Sequence, residues 1–524
     1  MDGSDFWDVA ANWSSNPALP GSSDDVFNNT ASATITHRSG NDTINSFLSE
    51  GAFILSGGSL TVNTTLQVNN TFTINGGTLK GATVNAGSGG QGITFANNGS
   101  NFLDGVTANA NLDLATGTGI ARILNGLTLN GIANINNNSV LAFEGTQTLS
   151  GTGAVLFGDT GSSNRLDIEG NSTLTIGSNM KIHGQNGTIG GQVFAGGTNA
   201  LVNNGTISAD VSGGTITLTA NNGNANAITN GGLLEAANGG TLNLAGHITN
   251  TGSGAITVAD SDSRITQSAV TVTGGTINNT AGGEFVPSNS SNNYLDGVTV
   301  NGVVDMASAT GIERILDGLT LNGTIKVNSN SILAFQGDQT LGGTGDILFG
   351  DTGSSNRLDI EGNSTLTIGS NIKVHGQNGR IGGQDFIGAT NALINNGTIS
   401  ADVSGGTIIL TSTNGAATAV TNNNTLEARN GGTLNLSAHV TNGSSGNITV
   451  VDSSSTVFQN GVTLTGGTIN GLSSLAPGAG FVPSNSSNNY LDGVTVNGVV
   501  DMASATGIER ILDGLTLNGT IKVN

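Results

Sequence analysis

The sequence predicts an all-β chain, a right-handed parallel β-helix (β-solenoid) built from short coils, and three observations lead there. The phrase LDGVTVNGVVDM at 295–306 is followed by LDGLTLNGTIKV at 316–327, so Leu295 and Leu316 open the same words 21 residues apart, as do Leu103 and Leu124, and Leu491 and Leu512. A self-similar unit of about 20 residues marks a solenoid in which each repeat is one coil stacked on the last. Within the unit, Val298 and Val300 alternate with Thr299, and Leu319 and Leu321 with Thr320. That alternation turns the aliphatics to one face of a strand and the threonines to the other. Asn-Gly and Gly-Gly pairs, as in NNGT and SGGT, then punctuate nearly every run with turn chemistry. Strands stacked from coil to coil run parallel, and parallel crossovers are overwhelmingly right-handed, which sets the hand.

Composition agrees. A length of 524 residues would suggest several globular domains, but a solenoid grows along one axis without enlarging its core. The chain has 84 Gly against 5 Pro, 9% charged and 4% aromatic residues, and its 35% of hydrophobic residues are patterned rather than dispersed, unlike a disordered glycine-rich segment. Lys plus Arg number 14 and Asp plus Glu 35, giving a net charge of −21 that argues against a nucleic-acid or anionic-membrane surface. With no cysteine, disulfides and thiolate metal sites are excluded. No apolar run reaches the roughly 18–20 residues of a membrane span, so no direct membrane insertion is expected in this segment. The opening residues lack the apolar run of a signal peptide, so none is expected within this segment.

In chain order, residues 1–50 differ from all that follow. They hold both tryptophans, Trp7 and Trp13, with Phe6, Pro17, Pro20 and the pair Asp24-Asp25. The first coil of a solenoid has an open apolar end, and Phe6, Trp7 and Trp13 supply the area to cap it. An aromatic sugar-binding platform is the alternative use of the same residues. First coils occupy 51–102. A large repeat spans 103–294 and a second 295–490, with the start of a third at 491–524: Leu103, Arg165, His183 and His247 match Leu295, Arg357, His375 and His439 at a spacing of 192, and 285–328 is identical to 481–524 over 44 residues. The chain stops part-way through the third copy, so the natural protein is expected to continue. At 21 residues per coil, 192 residues make about nine coils, a stack of ~43 Å within a rod of ~110 Å.

The stretches NGTISADVSGGTITLTANNG and GLLEAANGGTLNLAGHITNTGSG resemble the repeats of bacterial autotransporter passengers and filamentous-haemagglutinin-like secreted proteins, and FWDVAANWSSNPALPGSSDDV resembles the N-terminal stretch of large members of that group. The resemblance covers essentially the whole chain, and it implies export, a bacterial cell-surface location and adhesion.

The densest polar cluster is DTGSSNRLDIEG at 159–170, with Lys181 and His183 downstream. These are residue types a β-helical polysaccharide lyase would use on an acidic sugar. Alternation turns Leu166 and Ile168 inward and leaves Arg165, Asp167 and Glu169 outward, as a solvated, self-neutralised row of weak ligand-contact candidates. The cluster recurs at Arg357, Asp359 and Glu361, which reads as duplicated decoration rather than one catalytic site. The five histidines have no partner at the short spacings of a zinc site. Asp24-Asp25 could hold calcium only with several more oxygens. No nucleophile elbow or phosphate loop is present, and the Asn runs NNNS at 136–139 and NNNT at 422–425 read as turns or amide ladders. The expectation is therefore a non-enzymatic surface fibre without metal or cofactor, whose partners are surface glycans or further copies of itself. A carbohydrate-active β-helix enzyme is the alternative.

Overall fold

In the computed structural model, which describes residues 5–221, 223, 227–279, 282–306, 310–473 and 478–523, the chain is an all-β parallel β-solenoid of about 21 turns and is 1% helical. A single 3-10 turn, Ala10–Asn12, interrupts the strands among the described residues. The chain divides into two compact units, Met1–Thr266 and Gln267–Asn524.

From Val140–Glu144 onward in the first unit each strand pairs in parallel with the strand three places on, so that one turn contributes to three ladders. Val140–Glu144 pairs with Arg165–Glu169, which pairs with Asn186–Gly191 and so on to Thr215–Leu218 and Thr241–Leu244. The second ladder runs through Gln147–Ser150, Thr173–Ile176, Ala200–Asn203 and Ile228–Asn230. The third runs through Ala154–Phe157, Lys181–Gly184, Thr206–Ala209 and Leu233–Ala236. The second unit repeats the scheme, with Ile332–Gln336, Arg357–Glu361, Asn378–Gly383 and Thr407–Thr411 forming one continuous ladder. Inward positions are the alternate aliphatics: Leu166, Ile168, Ile189, Ile216 and Leu218 are all fully buried.

Turn length departs from the expected 21 residues. The mean is about 23, so a spacing of 192 residues spans about eight turns and not nine. The repeated LDG phrase misleads because it marks a corner rather than a whole coil. Phe102–Ala108 stacks on Ile120–Leu129 with a register shift between Asp104 and Val106, so Leu103 lies under Ile123 whereas Val106 lies under Leu127. The bulge needs a left-handed residue, supplied by Gly105 at φ +63° below and by Asn125 and Gly126 above; glycine and asparagine tolerate that conformation best. One long strand thereby bends across two faces. Elsewhere turns lengthen through loops, as between Ile189 and Leu218.

Buried polar ladders run beside the aliphatic ones. Asn203 Nδ2 donates to Asn230 Oδ1 at 2.9 Å and Asn230 Nδ2 to Asn250 Oδ1 at 2.9 Å. In the second unit Asn395, Asn422 and Asn442 repeat the chain at 2.9 and 2.8 Å. The middle amides, Asn230 and Asn422, each give a proton to the next turn and accept one from the previous turn, so the stack satisfies polar groups that would be costly to bury singly.

At the N-terminal end, Trp7 is fully buried. Its ring meets Trp13 at 4.7 Å, Phe47 edge-on at 5.7 Å and Phe53 at 6.3 Å between centroids, and Trp13 Nε1 donates to the Trp7 carbonyl at 2.8 Å. Phe6 pairs outside this cluster: it is 38% exposed and lies under the Arg38 guanidinium, 3.6 Å from its ring centroid.

Candidate functional site

The outward row Arg165, Asp167, Glu169 and its counterpart Arg357, Asp359, Glu361 lie where alternation directs them, but the carboxylates are not solvated and the arginines are only partly exposed. Asp167 and Asp359 are 0% exposed, Glu169 2% and Glu361 0%. The expected solvent face is overturned by a cover: the loop after the next strand of the ladder folds back over the row. Glu169 fixes that loop by accepting from the backbone N–H groups of Val193, Phe194 and Ala195 at 2.9, 3.0 and 2.6 Å. Glu361 does the same for Asp385, Phe386 and Ile387 at 2.8, 3.0 and 2.6 Å. The loop's aromatic completes the clasp. Phe194 and Phe102 flank the Arg122 guanidinium at 4.4 and 4.7 Å, and Arg122 is also ion-paired to Glu144. In the second unit Phe386 and Tyr294 flank Arg314 at 4.9 and 4.8 Å. Arg165 and Asp167 fit under the clasp because Asp167 faces Gly191 across a bulge that skips Gly190; a Cβ on Gly191 would collide with the Arg165 guanidinium.

The two rows then diverge chemically. In the first unit Arg165 Nε reaches both Asp167 oxygens at 2.9 Å. Burial, partly offset by that arginine, pushes the Asp167 carboxyl up to about 6. In the second unit Arg357 turns away from Asp359 and pairs with Asp385. Asp359 is left with no hydrogen-bond partner on either oxygen; the nearest cation is the Arg380 Nη2 at 3.9 Å, and the Arg357 charge helps only from a distance. Burial first, then the neighbouring Asp385 charge, raises Asp359 to about 7. Arg380 and Asp385 have no counterparts in the first repeat, where Thr188 and Val193 stand at the matching positions. The cleft beside them, about 760 Å³, is lined by Arg357, Arg380, Asp385, Ser354, Ser355 and Ile409 among others. Its first-unit counterpart, about 440 Å³, has Thr188 and no arginine in its lining.

Comparison with known families finds no family model that matches the chain, and comparison with curated proteins finds no match. The site is therefore described from its own geometry.

Lys181 and His183, grouped with the Arg165 row by sequence, belong to another ladder. Lys181 Nζ and His183 Nδ1 converge on Asp210 at 2.8 and 3.0 Å. Lys373 and His375 converge on Asp402 at 2.7 and 2.9 Å. Despite some burial, the His375 and Lys373 hydrogen bonds hold the Asp402 carboxyl down at about 2, while Asp346 and Asp402 raise His375 against its desolvation. These are cross-turn ties. His37 is enclosed between Asp42 at 2.8 Å and the Gly57 carbonyl at 2.9 Å, and His439 Nδ1 accepts from the Thr463 N–H at 2.9 Å. Asp24 accepts from the Gly21 N–H at 2.7 Å, and Asp25 from Asn45 and Ser46 at 2.7 and 2.6 Å. Among the described residues, no three His, Cys, Asp or Glu side chains gather as metal ligands. Trp13 and the 56%-exposed Phe27 line a second groove of about 610 Å³ beside Asp24 and Asp25, which is where the sugar-platform alternative would lie; Trp7 is too deeply buried to take part.

Sequence reasoning missed Arg380, Asp385 and Glu313. The signal was present as substitutions between copies: NGTIGGQV against NGRIGGQD, and GIARIL against GIERIL.

Proposed function

We propose that this chain is the β-helical stalk of an extracellular bacterial surface protein, structural and adhesive, whose turns set reach and whose outward side chains make weak, repeated contacts with glycans or with other copies of the chain. The observation that carries this reading is the duplication of outward polar chemistry turn after turn. Asn130, Asn109 and Asn85 form an outward amide ladder at 2.9 and 3.0 Å in the first unit, and Asn322, Asn301 and Asn278 form another at 2.9 and 3.0 Å in the second. Repeated weak contacts raise avidity without a strong single site. A carbohydrate-active β-helix enzyme is the second reading, and the unduplicated Arg380 and Asp385, set beside Arg357 and Asp359, favour it. Both are tested by one comparison. Beads coated with the full chain should adhere to glycan-coated surfaces far better than the soluble chain binds them, and incubation with acidic polysaccharides should release no new reducing ends. Release of reducing ends that Arg380→Thr abolishes would overturn the stalk reading in favour of the enzyme.

A further inference from the structure

The two large repeats share their ladders and their clasped loops, so a difference between them at one outward position is an internal comparison made on nearly the same backbone. Such a difference appears at the cleft beside Arg357–Glu361. Arg380 is 40% exposed, and among the described residues its guanidinium makes no hydrogen bond; its two ion pairs, to Asp359 and Asp385, are both long at 3.9 Å. Its Nε is buried without a partner. Arg357 is already satisfied by Asp385. The cleft thus presents one guanidinium fork whose donors are largely unspent, beside the hydroxyls of Ser354 and Ser355 and the aliphatic Ile409. A planar fork with free N–H groups is matched by a carboxylate accepting two parallel hydrogen bonds. Hydroxyls and an aliphatic wall match the hydroxyl edge and C–H face of a sugar ring.

We propose that this cleft binds a glycan bearing an isolated carboxylate, with Arg380 holding the carboxylate and Ser354 and Ser355 the neighbouring hydroxyls. The proposal rests on the surface-contact reading above and gives it a ligand class. An isolated charge fits better than a dense polyanion, because the chain carries a net −21, which repels extended anionic chains. At physiological salt that field is screened beyond about 8 Å, leaving the local guanidinium to decide. Asp359 competes only partly for Arg380, since burial holds its carboxyl partly neutral near pH 7. The first-unit cleft, with Thr188 in place of the arginine, should not bind.

The test is titration of the full chain with sialyllactose and with digalacturonate, against lactose, at low and high salt. Arg380→Thr installs the residue that the first repeat already carries, so the fold should be kept, and a circular-dichroism melt verifies it. Loss of one charge-assisted fork predicts about tenfold or greater weakening for the acidic sugars and no change for lactose. Asp385→Val, again the first-repeat residue, removes a competing carboxylate and should tighten binding. No binding of either acidic sugar by the folded parent chain would overturn the proposal while leaving the stalk reading standing. Equal binding of lactose, or unchanged binding by Arg380→Thr, would overturn it as well. A preference for digalacturonate over sialyllactose that grows with added residues would point instead to a polyanion track, and would refute the isolated-carboxylate assignment.

Discussion

Glu313 sits where a solenoid should place an aliphatic. On Ile312–Leu321 it faces inward between outward Ile312 and Arg314, it is 0% exposed, and it stacks under Leu333. At the matching position the first repeat carries Ala121, likewise fully buried. Neither Glu313 oxygen has a partner at direct hydrogen-bond distance; burial drives its carboxyl well upward, and the Arg314 backbone and the Gln267 amide oppose this only weakly. The folded chain therefore keeps a proton that the unfolded chain releases. With more protons bound in the native state, stability falls as pH rises above the ordinary glutamate value of 4.5, until the folded carboxyl itself ionises. Each pH unit in that window is worth about 1.4 kcal/mol for as long as the folded carboxyl stays protonated.

Glu313→Gln keeps the shape and removes the titration. It should be close to neutral at pH 4.5 and stabilise increasingly as pH rises, by about 1.4 kcal/mol per pH unit while the parent's folded carboxyl stays protonated. The readout is urea unfolding followed by circular dichroism at pH 4.5, 6 and 7.5, together with amide exchange in the strands 312–336, because a stack opens turn by turn and the effect should be local. Glu509, in the identical segment, is pushed to about 8 mainly by burial, so Glu509→Gln should show the same sign with its gain levelling off near that pH. Parallel parent and variant midpoints at all three pH values would refute the claim that Glu313 is buried as the neutral acid.

Two further outcomes follow from the ladders. Asn422→Ala removes the middle of the buried Asn395–Asn422–Asn442 chain, leaving Asn442 Oδ1 without its donor at 2.8 Å and Asn395 Nδ2 without its acceptor at 2.9 Å; a loss of about 2–4 kcal/mol is expected by urea unfolding, and a loss below about 1 kcal/mol would mean water replaces the ladder. Deleting 103–294 joins Phe102 to Leu295 and stacks Leu295 on Leu79, which carries Leu103 in the intact chain, while Leu295 keeps Ile315 above it; the shortened chain should stay strand-rich with an unchanged midpoint, and its collapse would show that turns are not interchangeable.

The fold class was legible because period-two alternation is imposed locally: Val298 and Val300 are buried and Thr299 is not. Turn length was less legible. The LDG phrase repeats at 21 residues, but it records a left-handed corner within a long strand, and loops elsewhere lengthen the turn without leaving a periodic trace. Direction was also legible where exposure was not. Arg165, Asp167 and Glu169 do point outward, and their burial depends on residues 192–198, one turn later, which no local pattern could place over them. Glu313 was legible in principle, since counting back by two from inward Ile315 lands on it.

These cases share a cause. In a stacked fold the backbone of each turn is held by the turns before and after it, so a side chain can change without altering the ladder that carries it. Ala121 becomes Glu313, Thr188 becomes Arg380 and Val193 becomes Asp385, while Ile120–Leu129 and Ile312–Leu321, like Asn186–Gly191 and Asn378–Gly383, keep the same lengths and the same partners. Repetition then separates two kinds of residue. Those that recur, such as the Glu169 and Glu361 clasps, are explained by the architecture. Those that do not recur cannot be required by it, because the neighbouring copy folds without them. A costly departure, an arginine with unspent donors above a carboxyl with no partner, accordingly calls for an explanation outside stability, and the cleft holding Arg380 is where a ligand supplies one.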